Sequence, residues 1–211
     1  MSVNQIDHRV SRDGVVALPP RVQETSAALV RIRGLSRPLQ MLFVILFVVG
    51  LILLLGAVAT ALFYDGPRVQ VRPGGLQIFI EPQAPSIVQG WTTLGAMPAL
   101  RRVALAVSAT LMLTPALAIL WTLGRLFGLY AQGVVLARQN VRCLSLIAAW
   151  LIAYAIAPTL GHLVVTAAGF DDEGWLRMDS FQALCLGLVL FVVARVMGWA
   201  AEVADDAAGF V

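Results

Sequence analysis

The chain has 211 residues, 59% of them hydrophobic and 13% charged, with a formal charge of +3 and a mean hydropathy of +0.84. That leaves too little charge to solvate a globular surface, which excludes an ordinary soluble fold. All fifteen basic residues are arginine, a usage that coding bias explains. Arginines flanking apolar segments report topology and contact with anionic lipid, so the net charge carries no argument for direct nucleic acid binding.

Residues 1–37 read as a cytoplasmic N-terminal tail whose first half, with Gly14, Pro19 and Pro20, is disordered or extended. From Val22 to Leu35 two readings stand. Leu29, Val30, Ile32 and Leu35 alternate with Arg31 and Arg33 as in an interfacial helix on the inner leaflet, with Arg37 completing a basic collar; equally, the tail frays and stops at the membrane. Residues 38–64 are uncharged and long enough to cross a bilayer core at ~1.5 Å per residue. Roughly forty polar residues precede this stretch, and its apolar core exceeds the ~7–15 residues of a signal-peptide core, so it is expected to be retained as the first transmembrane helix.

In the loop 65–101, VQV and LQIFI flank Arg72-Pro73-Gly74-Gly75, a hairpin signal. Pro73 presets φ for the first central position of a type II turn and Gly74 accepts the second. Val69 and Val71 then share one strand face, as do Leu76, Ile78 and Ile80 on the next strand. A two-stranded ribbon is marginal alone, so it is expected to lean on helix ends or a partner, with Trp91 as an interfacial anchor.

The second helix, 102–130, is expected to begin near Pro98 and to reach Ala131. Pro115, beside Thr114, predicts a packing kink stabilised by the threonine or a hinge, the kink being the more economical reading, and Gly124 with Gly128 permits close approach of another helix. After a cytoplasmic loop, 131–142, the third helix, 143–168, carries Ser145, Ala149, Ala153, Ala157 and Gly161 every fourth residue, a face suited to helix packing or to a homodimer. A short loop, 169–180, holds Asp171, Asp172 and Glu173, read as a solvated acidic turn. The fourth helix, 181–201, spans if Arg195 snorkels toward headgroups or stacks on Trp199. Ala183 and Gly187, then Ala194 and Gly198, again sit four apart. Residues 202–211 form an acidic cytoplasmic tail.

The expected fold is therefore an all-α membrane protein with four transmembrane helices and a small extracytoplasmic β-hairpin between the first two. Arg21, Arg31, Arg33, Arg37, Arg125, Arg138, Arg142 and Arg195 fall at one side, against Arg68, Arg72, Arg101, Arg102 and Arg177 at the other. The excess puts both termini in the cytoplasm, although Arg101 and Arg102 together oppose it.

Chemistry-bearing residues are sparse. His162 lies ~28 Å along the third helix from Cys143, near the outer interface; it is a candidate sensor, with a structural histidine the more economical reading. Cys143 and Cys185 fall at different depths and cannot bridge. With His8 far from His162, no convincing metal-ligand set exists, and the common nucleophile, zinc and phosphate-loop motifs are missing. No cofactor and no enzymatic activity are expected.

The stretch LGRLFGLYAQGVVLARQNVRCLSLI resembles the signature of a family of small bacterial integral membrane proteins known as domain of unknown function 2975. The matching positions are Leu126, Phe127, Tyr130, Gly133, Asn140, Val141 and Leu144. The ending ARVMGWAAEVADDAAGFV is similar too, so the resemblance runs over roughly 104–211. Ala137 stands where a serine or threonine cap is usual and Gln139 where an acidic residue is common, so the usual first-turn cap of the third helix is missing.

The resemblance implies a bacterial inner membrane location. It also implies a cytoplasmic partner, a small helix-turn-helix regulator, since such regulators are commonly encoded beside family members. Glu202, Asp205, Asp206, Arg138 and Asn140 are the candidate partner-binding residues. The expected function is that of a non-enzymatic membrane-bound regulatory or sensory protein, with a small channel or transporter accessory subunit as the alternative; the bilayer and a second copy of the chain are the other expected partners.

Overall fold

The computed structural model describes residues 20–72, 75–78, 90–133, 138–170 and 178–208. They form α1 (Pro20–Phe63), a small sheet of β1 (Val69–Arg72), β2 (Gly75–Ile78) and β3 (Thr92–Thr93), a 3-10 turn at Leu94–Ala96, then α2 (Ala99–Ala131), α3 (Arg138–Ala167) and α4 (Met178–Ala208). Each of the four helices contains a stretch long and apolar enough to cross a membrane, which makes this a multi-pass membrane protein by length and composition. The outward surfaces of α1 and α4 are rich in exposed aliphatic side chains such as Ile45, Ile52, Leu188 and Val192, as a lipid-facing surface requires. His8, Pro73, Gly74, Ile80, Ala137, Asp171, Asp172, Glu173 and Trp175 lie outside the described residues.

Three helix boundaries differ from those expected, for one physical reason: hydropathy marks where lipid ends, whereas a helix continues as long as its backbone bonds are satisfied. α1 is one helix from Pro20 through Pro38, so the basic segment before Arg37 is continuous with the span instead of a separate interfacial helix or a frayed tail. α3 begins at Arg138, taking Gln139, Asn140 and Arg142 out of the expected loop and into its first turns. α4 runs to Ala208 and carries the acidic residues as helix.

Neighbours in sequence pack antiparallel. A Cβ added at Gly50 of α1 would stand 2.7 Å from Leu117 of α2, and one at Gly124 would stand 3.6 Å from Val44. Phe43 stacks on Phe127 at 5.4 Å, and Phe47 meets Trp121 at 5.2 Å, so aromatic contacts of the kind worth ~1 kcal/mol each tie α1 to α2. Gly161 of α3 brings its backbone against Ser108 and Met112 of α2. On the other side of α3, Gly187 of α4 faces the Ala148 carbonyl and the side chains of Leu151 and Ile152, each 3.1–3.2 Å from where its Cβ would be. Small residues set these distances because dispersion, not hydrophobic exclusion, holds helices together in lipid.

At the opposite end from the chain termini, β1 is the central strand, in the order β2-β1-β3. Val69 pairs with Ile78 and Val71 with Leu76, while Gln70 pairs with both Gln77 and Thr93. Val69, Val71, Leu94 and Met97 form a small buried core on which Tyr64, Leu105 and Phe170 pack, so the ends of α1, α2 and α3 all contribute. Phe170 reaches it because, two residues past the end of α3, Gly169 adopts φ +75°, so that the Phe170 N–H donates to the Val165 carbonyl and the Gly169 N–H to that of Thr166. We call this the sheet end and the other the tail end.

Candidate functional site at the tail end

Several polar side chains of α1, α2 and α3 surround one cavity at the tail end. Gly128, the second glycine of the expected packing pair, has no side chain to fill the interface. Gln40 of α1 lies over it, its Nε2 3.1 Å from where a Cβ would be. Around this point a cavity of about 570 Å³ is lined by Gln40, Arg125, Gln132, Gln139 and Arg142, with Leu129, Cys143 and Leu146 as its apolar wall. Its arginines and Gln139 belong to the last turns of α2 and the first turns of α3. Just past the end of α2, the chain turns at Gly133, φ +83°, whose N–H donates to the Tyr130 carbonyl.

Arg33 of α1 fixes that turn from outside. Its Nη2 donates to the Gln132 carbonyl at 3.4 Å, and a Cβ at Gly133 would collide with its guanidinium. A cation beside the last carbonyls of a helix also opposes the negative end of the helix dipole. Leu126, Cys143 and Ile147 form a buried cluster directly below, packed by Leu123, Tyr130 and Leu190.

The residues singled out from sequence are distributed as follows. Gly124 and Gly128 both face α1, at Phe43 and Val44 and at Gln40. The small-residue stripe of α3 is divided: Ala157 and Gly161 are buried, Ser145 and Ala153 are half-buried, and Ala149 is exposed. The buried face at that level is Ile147 and Ala148, one residue round the helix. Asn140 is fully buried in the first turn of α3, whereas Arg138 is exposed, so these two do not form one accessible surface. Glu202 is exposed on α4; the side chains of Asp205 and Asp206 lie outside the described part. His162 is half-buried near the sheet end, far from the cavity. Both cysteines are free, Cys143 buried and Cys185 exposed. Arg195 and Trp199 are both exposed on α4.

Among the described residues no group of histidine, cysteine and carboxylate side chains is placed to hold a metal ion. Sequence reasoning missed Gln40, Arg125, Gln132 and Arg142 as a set. The available signal was Gln40 itself, an amide inside an apolar span, where an unsatisfied polar group is costly. The chain matches no family model, no curated protein and no solved structure.

Proposed function

We propose that the chain is a non-enzymatic, multi-pass protein of a bacterial inner membrane, with both termini cytoplasmic and the sheet end extracytoplasmic, that acts as the membrane-bound partner of a small helix-turn-helix regulator. One observation carries this reading: α1 and α4 continue as helix beyond the arginines nearest their spans, Arg37 and Arg195, at the same end of the molecule. At ~1.5 Å per residue these extensions are ~27 Å and ~20 Å long, enough helical surface to dock a small protein. The acidic extension, with Glu202, Asp205 and Asp206, offers a basic regulator a complementary surface. The family resemblance of residues 104–211 supplies the class of partner.

The transport alternative has less support. α2 and α3 run unbroken through Pro115 and Pro158. The hydroxyls of Thr110 and Thr122 donate to the carbonyls of Ala106 and Ala118 in their own helix instead of lining a path. Crosslinking the tagged full chain in its host, followed by mass spectrometry of what copurifies, tests the reading. Recovery of a small DNA-binding protein, lost on replacing Glu202, Asp205 and Asp206 by alanine, is the expected result. Recovery of only further copies of the chain or of transporter subunits would remove the regulator.

A further inference from the structure

We infer that the tail-end cavity is a binding site for a phosphate group, held between Arg125 and Arg142, with an anionic phospholipid headgroup as its source. The inference stands independently of the regulator, because it uses different residues and a different ligand.

The cavity brings together two guanidinium groups and the amides of Gln40, Gln132 and Gln139, without a carboxylate among its lining residues. Neither Arg125 nor Arg142 makes a hydrogen bond or ion pair among the described residues, in contrast to Arg102 and Arg33, which are both engaged in closing helix ends. Both guanidinium groups are exposed along the one cavity, where an anion placed between them can reach either. Guanidinium forks match phosphate oxygens in pairs, and the amides both donate and accept, which suits the ester oxygens and hydroxyls of a headgroup.

Arg125 lies ~9 Å from the last residue of α2 and Arg142 ~6 Å from the first residue of α3. These helices, 33 and 30 residues long, exceed a ~30 Å hydrocarbon core, so their outer ~10 Å belongs to the headgroup layer. A basic pocket between transmembrane helices at that level is where headgroup phosphates reside. Leu146, 42% exposed, and Leu129 form the wall beside it and offer an apolar surface to the start of an acyl chain.

Gly128 leaves the floor open, and Gln40 is positioned over it by the α1 to α2 packing at Gly124 and Gly50. A larger residue at position 128 would meet the Gln40 side chain, 3.1 Å from where its Cβ would be, and displace that amide within the cavity while keeping both arginines in the chain.

The test uses the purified full chain in discs of phosphatidylcholine carrying a minor fraction of phosphatidylglycerol or cardiolipin, with retained lipid counted by native mass spectrometry after transfer to detergent. The wild type is expected to retain anionic lipid, and Arg125→Gln with Arg142→Gln to lose it by about tenfold or more, the loss of charge-assisted hydrogen bonds. Arg195→Gln, at an exposed arginine of the same end outside the cavity, serves as the control and is expected to retain it. Gly128→Leu is expected to lose binding with both charges intact, and size-exclusion profiles and helical circular dichroism establish that each variant is folded. A parallel arm measures thermal protection by inorganic phosphate and glycerol phosphate in a neutral detergent. Protection that depends on Arg125 and Arg142, without lipid retention, would keep the phosphate site and assign it to a soluble ligand. Equal retention by wild type and both cavity variants, with no phosphate protection, would overturn the inference.

Discussion

The Nη1 of Arg102, in the first turn of α2, lies 2.7 Å from Oδ1 of Asp65, just past the end of α1. The same guanidinium donates through Nε to the Ala61 carbonyl and through Nη2 to that of Tyr64, both at 3.0 Å. One arginine thereby closes the C-terminal end of a neighbouring helix, satisfying carbonyls that would otherwise lack partners. This gives Arg102 a structural reason to stand at the sheet end, where it counts against the arginine bias that orients the chain. Arg33 does the corresponding task for α2 at the tail end, through the Gln132 carbonyl.

Arg102→Ala is expected to lower stability by about 1–3 kcal/mol, because the side chain is only 15% exposed and its loss strands two helix-end carbonyls. Asp65→Ala should cost less than about 1 kcal/mol, since that carboxylate is 75% exposed and its ion pair is screened. Thermal unfolding of both variants in one detergent checks the asymmetry; equal losses would show that the ion pair, not the carbonyl cap, dominates.

At the α3 to α4 interface, Gly187→Leu is expected to force the helices apart and destabilise by about 1–3 kcal/mol, because one of the groups it meets is the rigid Ala148 backbone. Gly56→Leu on α1, with nothing within 4 Å, should unfold like the wild type. Comparing the two melting curves separates loss of packing from loss of glycine itself.

The divided stripe of α3 predicts a split response. Ala157→Leu, at a position 3% exposed, should lower the melting temperature, whereas Ala149→Leu, at an exposed position, should leave it unchanged. Native mass spectrometry adds the oligomeric state: a dimer abolished by Ala149→Leu alone would assign the exposed half of the stripe to a second copy of the chain.

Orientation is open to direct labelling. In a background with Cys185 replaced by serine, a cysteine introduced at exposed Thr92 of β3 should react with an impermeant maleimide on intact cells. One at exposed Glu202 should react only after permeabilisation. The reverse pattern would invert the molecule and move the tail-end cavity to the outer leaflet.

Gly95 offers a check on the sheet end. A Cβ there would lie 2.8 Å from the Asp65 carbonyl oxygen, a backbone atom with little room to move. Gly95→Val should therefore loosen the Val69, Val71, Leu94 and Met97 core, read as increased protease cleavage in the 65–98 region with the helical circular dichroism retained.

The four spans were legible in the sequence because hydropathy is a property of each side chain and its solvent. Segments such as 38–64 exclude water whatever their neighbours do. Boundaries were less legible: Arg138, Gln139 and Arg142 are good helix formers that a hydropathy reading assigns to a loop. The α3 stripe was half legible, since the spacing of Ala157 and Gly161 reveals a close face, while the packing at Ile147 and Ala148 turns on where α4 lies.

What the chain by itself determined was how many times it can cross a bilayer and which residues are small enough to permit close contact. Tertiary structure decided which helix meets which. It set Gln40 over Gly128, Arg33 against Gln132, Arg102 onto the end of α1, and Arg125 with Arg142 around one cavity. The physical reason is that helix association in lipid depends on shape complementarity and on paired polar groups contributed by separate segments, and no periodicity within one segment encodes its partner.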